Sequence, residues 1–176
     1  MKFIITKNIN NELKNDWNNI EVDNPISGPF QNLNWIENYI DSYNKFKKYE
    51  KIKKEFYFFY VKKNNKILVI IPLQITYSFI KTLQFLGGPF NDINIPIINS
   101  KYEIKPDEIA KIQEELLNIF KKKVNLIFFR NQPDCFYNNT RNYLIFKKIF
   151  FKEKNYFLNK NENYLDNLKK KKFWKD

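Results

Sequence analysis

Histidine is absent from this chain, and cysteine, glycine and arginine are scarce. Without histidine the chain lacks the commonest general base and the commonest metal ligand, so it cannot build a Ser-His-Asp or Cys-His catalytic arrangement. The single cysteine, Cys135, excludes an intramolecular disulfide and a cysteine-ligated zinc site. Any chemistry must therefore use positioning, backbone donors, a carboxylate, tyrosine or lysine. Direct transfer of an acyl group from a thioester to an amine fits this restriction, because the substrate's own amine is the nucleophile.

The scarcity of glycine excludes the common phosphate-binding loops. Gly28, Gly87 and Gly88 are the only glycines, and they supply neither Gly-x-x-Gly nor Gly-Lys-Ser/Thr spacing. Two of them stand in "FLGGPFNDINIP", directly after an apolar run, where they permit positive φ and close backbone approach. One interpretation is a sharp strand exit, with Asn91 or Asp92 making a local side-chain turn. The other is a loop facing a substrate cleft, in which Asp92 orients or deprotonates an acceptor amine.

The substrate-cleft candidates of this second interpretation are Gly87, Gly88, Asn91 and Asp92. Tyr102 and Glu103 are further candidates for the cleft by position alone. No catalytic residue and no metal ligand is assigned.

No apolar run approaches the roughly 18 residues of a membrane span, and the start of the chain turns polar too early for a secretory signal. We therefore expect a cytoplasmic protein. The net charge of +12 comes almost entirely from lysine, since Arg130 and Arg141 are the only arginines. Proteins that read bases and phosphates favour arginine for its bidentate fork, so we interpret the charge mainly as solvated surface and predict no specific nucleic-acid partner. The alternative is a non-catalytic basic module that binds nucleic acid or an anionic surface, with "KKKKFWK" at 169–175 as its best local feature.

Apolar periodicity predicts helices in Asn11–Ile20, in the stretch around Leu33–Tyr43 and in Lys105–Lys123, where Pro106 and acidic residues suit the first turn. Strands are predicted at Lys2–Thr6, Glu55–Val61, Lys66–Thr76, Lys81–Leu86 and Asn125–Phe129, and in two closing runs at 143–151 and 155–158. Pro72 inside a predicted strand indicates a sheet edge or a bulge, an edge being favoured. The fold class is α/β (α+β), with a mixed, mostly antiparallel central sheet flanked by helices and a C-terminal helix leading out of the domain.

Four stretches in order resemble the N-terminal half of the CelD-like acetyltransferases, a tandem branch of the GNAT superfamily related to the FemAB-type transferases. They are "PFQNLNWIENY" (Pro29–Tyr39), "KNNKILVIIPL" (Lys63–Leu73), "LQFLGGPFND" (Leu83–Asp92) and the basic segment Tyr156–Asp176. The resemblance implies a GNAT-like half-domain at 3–158 with a splayed, mixed sheet. It also implies the start of a linker helix at 159–176, toward a second GNAT domain in cis. Asp176 is expected to lie within an element of a longer protein.

The same resemblance implies an N-acyltransferase that uses acetyl-CoA or another acyl-CoA. The amine acceptor would be a small molecule or glycan, such as an amino sugar, a polysaccharide or a cell-wall precursor. GNAT domains bind the coenzyme's diphosphate with a Gln/Arg-x-x-Gly-x-Gly/Ala loop at a helix N-terminus, and this chain has no such spacing. We therefore expect that this chain alone binds no acyl-CoA and is inactive, serving as the half that shapes the acceptor cleft.

Overall fold

The computed structural model describes residues 1–22, 28–134 and Asn142. Its strands are β1 (Lys2–Thr6), β2 (Lys53–Lys63), β3 (Lys66–Tyr77), β4 (Lys81–Phe85), β5 (Ile97–Ile98) and β6 (Leu126–Ile127). Its helices are α1 (Asn11–Val22), α2 (Leu33–Phe46) and α3 (Pro106–Phe120), with short 3-10 helices at Pro29–Gln31 and Gly88–Phe90. Cys135, Arg141, the strands predicted at 143–151 and 155–158, and the linker helix predicted at 159–176 lie outside the described residues.

The strands form one mixed sheet in the order β1-β2-β3-β4-β6, with β5 paired to β3 beyond the end of β4. Every pairing is antiparallel except β4 with β6, which is parallel. A parallel pair requires a long crossover connection, and α3 lies in that connection. The predicted mixed α/β fold with a mostly antiparallel sheet is confirmed.

The sheet is covered on both faces. Alternate residues of β2 and β3 point to opposite sides, so one set packs with α1 and α2 and the other set packs with α3. The first core contains Leu13, Trp17, Ile36, Phe58 and Ile70, and the second contains Phe59, Ile71, Ile112, Leu116 and Phe120. Burial on both faces explains why β2 and β3 read as continuous apolar runs rather than as alternating ones.

Two local signals account for the hairpin and for the start of α2. Asn64 and Asn65 have φ of 50° and 59°, so β2 and β3 are joined by a two-residue turn in the left-handed region. Asn32 precedes α2, and its Oδ1 accepts hydrogen bonds from the backbone N–H groups of Asn34 and Trp35 at 3.0 and 3.3 Å.

Pro72 does not lie at a sheet edge, so the expectation of an edge strand is wrong. It lies within β3, opposite Phe58 of the neighbouring strand, and its carbonyl accepts a hydrogen bond from the N–H of Leu86 at 3.1 Å. On that side β4 has ended and β5 has not begun, so β3 needs no donor at this position. The register shift of the hairpin falls elsewhere, between Val61 and Lys62 of β2.

Among the described residues, no helix is both long enough and apolar enough to cross a membrane.

Candidate functional site

The two adjacent glycines lie directly after β4, where the chain leaves the sheet. Gly87 has φ +91° and Gly88 has φ +53°, a left-handed conformation that costs other residues about 1–2 kcal/mol each. A β-carbon at Gly87 would overlap the side chain of Asn91 and lie 2.7 Å from Cη2 of Trp35. The positive φ expected from the sequence is therefore confirmed, and the chain turns at once into the 3-10 helix Gly88–Phe90.

Asn91 and Asp92 are adjacent in sequence but occupy opposite environments. Asn91 is buried, and its Nδ2 donates to the carbonyl of Leu86 at 2.8 Å and to Oδ1 of Asn94 at 2.9 Å. These bonds close the loop from Leu86 to Asn94, as the local-turn interpretation predicts. Asp92 is exposed. The structure thus brings Gly87, Gly88 and Asn91 together and turns Asp92, the acidic residue of this loop, toward solvent.

Two glutamines on neighbouring strands extend the polar surface beneath this loop. Gln74 of β3 is buried and lies directly opposite Gln84 of β4. Oε1 of Gln74 accepts a hydrogen bond from the N–H of Gly87 at 3.1 Å. A β-carbon at Gly88 would lie 2.8 Å from Nε2 of Gln84 and 3.1 Å from Nε2 of Gln74. Gly88 is therefore required for the backbone to approach both carboxamides.

An aromatic wall from α2 flanks this amide surface. Trp35 stacks on Tyr39 at 5.3 Å between ring centroids, and Phe30 meets Trp35 edge-on at 5.5 Å. The hydroxyl of Tyr39 donates to Oε1 of Gln74 at 3.3 Å and lies 3.4 Å from Nζ of Lys54. Burial raises the pKa of Tyr39 to about 12, so this hydroxyl stays protonated at neutral pH and acts as a hydrogen-bond donor, not as a base.

The resulting amide cluster consists of Gly87, Gly88, Asn91, Gln74, Gln84, Tyr39 and Trp35. Gln84, Tyr39 and Trp35 are partly exposed, and the other four are buried. Its polar groups are uncharged carboxamides, a neutral phenol and main-chain groups. Such groups bind and orient a polar ligand through hydrogen bonds without supplying a strong acid or base. No group of three or more potential metal ligands occurs among the residues that the structure describes.

The first turn of α3 is considered next, because a helix N-terminus can bind an anion. Pro106 occupies the first helical position, where it removes one backbone donor, and Asp107 and Glu108 place negative charge in the first turn. The carboxylate of Glu108 accepts the N–H of Lys105 at 3.1 Å and Nζ of Lys63 at 2.7 Å. The Lys63 hydrogen bond holds the pKa of Glu108 below its ordinary value, so the carboxylate stays ionised. The first turn of α3 thus lacks one backbone donor and carries two carboxylates, which makes it unfavourable for a diphosphate.

Tyr102 and Glu103 lie far from the amide cluster. Tyr102 lines a cavity of about 300 Å³ together with Asp16, Lys66 and Asn99, and Glu103 lines an adjoining cavity of about 220 Å³. Asn99 hydrogen-bonds to β3 at Ile67 and Leu68, whereas the glycine loop meets β3 at Pro72 and Gln74. That separation is on the order of 15 Å along the strand, so the two regions are separate.

Sequence reasoning missed Gln74, Gln84 and Tyr39 as site residues. A signal was present for the two glutamines, because each interrupts a buried apolar strand, in "VIIPLQIT" and in "KTLQFL". Tyr39 carries no such signal, since it continues the apolar stripe of α2 and is recognised only by its contact with Gln74.

No protein-family model, no curated protein and no solved structure matches this chain.

Proposed function

We propose that this chain is the acceptor-shaping N-terminal half of a GNAT-type N-acyltransferase, of the kind that the CelD-like resemblance implies. The observation that carries the proposal is the amide cluster at the exit of β4, the strand that forms the single parallel pairing of the described sheet. A mixed sheet is what the resemblance predicts, and the amide cluster contains the two glycines and Asn91 of its Gly-Gly-Pro loop. The acceptor class is an amine carried on a small molecule or a glycan.

Acyl-CoA is not expected to bind at the start of α3. Its diphosphate needs unpaired main-chain N–H groups at a helix N-terminus, and the first turn of α3 instead carries Pro106, Asp107 and Glu108. In the glycine loop, the N–H of Gly87 is already bound to Gln74. We therefore place acyl-CoA binding outside the described part of this chain, in the second domain that the resemblance implies.

The chemistry assigned to this half is orientation of the acceptor. Gln84 is the half-exposed carboxamide of the amide cluster, and its side chain lies against the buried backbone of Gly88. Hydrogen bonds from such groups fix a polar acceptor so that its amine meets the thioester carbonyl in a reactive geometry. The neutral phenol of Tyr39 keeps Gln74 in place through its donated hydrogen bond.

The test is an acetyl-transfer assay on the protein encoded by the complete reading frame, in which thiol release is measured with a panel of amino sugars and other amines. We expect Gln84→Leu to raise KM for the amine about tenfold, the usual cost of one lost hydrogen bond to a neutral group. KM for acetyl-CoA should not change. Asn34→Ala removes an exposed carboxamide from α2, outside the amide cluster, and serves as the matched control.

Calorimetry on the 176-residue chain alone tests whether acyl-CoA binding lies outside this chain. Titration with acetyl-CoA should give no binding at submillimolar concentration, since we place the diphosphate site in the second domain. Saturable binding of acetyl-CoA to this chain, or a Gln84→Leu protein with unaltered KM for every accepted amine, contradicts the proposal.

A further inference from the structure

One end of the molecule combines exposed apolar side chains with lysines, and none of these side chains belongs to the amide cluster. Two loops form this end: the connection from α2 to β2 and the turn from β3 to β4. Their exposed large side chains are Phe46, Tyr49, Ile52, Phe79 and Ile80. Phe79 is 101% exposed at the tip of its turn, and Tyr49 is 73% exposed. We call these two loops, 45–53 and 77–81, the basic apolar end.

The sheet places the two loops side by side although they are distant in sequence. Lys53 pairs with Tyr77, which in turn pairs with Lys81, so both loops continue from one row of the sheet. The backbone N–H of Asn125 donates a hydrogen bond to the carbonyl of Lys81 at 2.9 Å. This contact brings the exposed lysines at 121–123 to the same end.

Positive charge surrounds the apolar side chains. The segment from Lys45 to Lys54 contains a single carboxylate, Glu50, among its lysines. Lysine ammonium groups lie over the exposed rings, at 5.4 Å for Lys45 over Phe46 and 4.8 Å for Lys48 over Tyr49. Lys53 and Lys81 both lie over the ring of Tyr77, at 5.1 and 5.4 Å.

We propose that the basic apolar end is a peripheral docking surface for an anionic phospholipid membrane. Projecting aromatic and aliphatic side chains enter the region between headgroups and acyl chains, while neighbouring lysines bind the anionic headgroups. Lysine beside an exposed ring suits this interface, because the ammonium and the ring occupy adjacent depths. The inference is independent of the acyltransferase proposal.

Two features favour a membrane over other anionic partners. Phe79 is fully exposed in the turn from β3 to β4, whereas the core of a protein–protein interface is an apolar patch that is buried on binding. The surface also includes the aliphatic residues Ile52 and Ile80, which cannot stack on bases, and it contains no arginine.

Vesicle co-sedimentation of the full chain tests the proposal with phosphatidylcholine vesicles and with mixed phosphatidylcholine and phosphatidylserine vesicles. We expect binding to the mixed vesicles that exceeds binding to the neutral ones. The double variant Phe79→Ser/Ile80→Ser should bind about tenfold more weakly. Phe90→Ser, which removes a 70% exposed ring from the glycine loop, should bind like wild type.

The charge is tested separately with Lys48→Gln/Lys51→Gln, which should weaken binding about fivefold per lysine at physiological salt. Lys2→Gln/Lys111→Gln removes two exposed lysines from β1 and α3 and is the matched control. Far-UV circular dichroism verifies that each variant is folded; these exposed positions contribute little to the core.

Three results would overturn the proposal. The first is equal binding to neutral and mixed vesicles. The second is wild-type affinity of both variants of the basic apolar end, which would assign vesicle binding to another part of the chain. The third is tight RNA binding that is lost in Lys48→Gln/Lys51→Gln but kept in Phe79→Ser/Ile80→Ser, which would identify a nucleic-acid surface.

Discussion

At the scale of single residues, the glycines are explained by the amides that face them. Within the described residues, Oε1 of Gln31 and Oδ1 of Asn91 are buried and accept no N–H or O–H hydrogen bond. Each faces a glycine: a β-carbon at Gly28 would lie 2.7 Å from Oε1 of Gln31, and one at Gly87 would overlap Oδ1 of Asn91. The hydrogen that glycine carries in place of a β-carbon therefore lies toward each oxygen, and this weak Cα–H contact partly offsets the burial of the oxygen.

Substitution of Gly87 by alanine tests this arrangement. The left-handed backbone and the overlap with Asn91 and Trp35 both oppose a β-carbon, so Gly87→Ala should lower the free energy of unfolding by about 3 kcal/mol. Gly28→Ala is the control, because Gly28 has φ −88° and its β-carbon would meet only the end of the Gln31 side chain. Urea denaturation measures both; an equal loss in the two variants would refute the explanation.

Glu55 provides a residue-scale prediction for pH. The hydroxyl of Tyr57 donates to its carboxylate at 2.8 Å, and Lys7 lies 3.2 Å away. The Tyr57 hydrogen bond, helped by Lys7, lowers the pKa of Glu55 from 4.5 to about 2. Because the folded-state pKa is the lower one, this stabilisation is complete above pH 4.5 and disappears as the pH falls toward 2.

Tyr57→Phe should therefore lower the free energy of unfolding by about 1 kcal/mol at pH 7, a value reduced by the partial exposure of Glu55. The difference from wild type should shrink as the pH is lowered through the titration of Glu55. Tyr60→Phe removes a hydroxyl from the opposite face of β2 and is the matched control. A Tyr57→Phe deficit that is constant between pH 7 and pH 2, measured by urea denaturation, would argue against the linkage.

At the scale of elements, local signals predicted most of the described structure. The strand at Lys2–Thr6 was predicted with its observed bounds, and the three helices begin and end within a few residues of their predicted limits. These elements follow from apolar periodicity and from terminal residues such as Pro106, which act over a few positions. The prediction that Pro72 lies in an edge strand was wrong. Whether the sheet tolerates a proline there depends on where β4 ends and β5 begins, which no local pattern encodes.

The hairpin turn gives the element-scale prediction. Asn65 has φ +59° in the two-residue turn between β2 and β3, a conformation that glycine adopts without strain and that β-branched residues resist. Asn65→Gly should raise the free energy of unfolding by a few tenths of a kcal/mol, and Asn65→Val should lower it by about 1–2 kcal/mol. Thermal and urea denaturation of the pair distinguish the outcomes, and changes of the same sign would contradict the turn assignment.

At the scale of the whole molecule, one sheet supports two separate surfaces. The amide cluster lies at the exit of β4, beside the start of α2. The basic apolar end lies where α2 ends and β2 begins. From Trp35 to Phe46, α2 advances roughly 16 Å, so the two surfaces can bind different partners at once. The lysine content that the sequence alone favoured as solvated surface is combined at this end with exposed aromatic and aliphatic side chains.

The sequence by itself determined the absence of histidine chemistry, the identity of the main strands and helices, and the positive φ that glycine permits at the exit of β4. These depend on composition and on contacts over a few residues. Only the tertiary structure placed Gln74, Gln84 and Tyr39 around Gly87 and joined the loops that carry Tyr49 and Phe79. The physical reason is strand register: it decides which distant side chains meet, and it is fixed by the packing of both sheet faces.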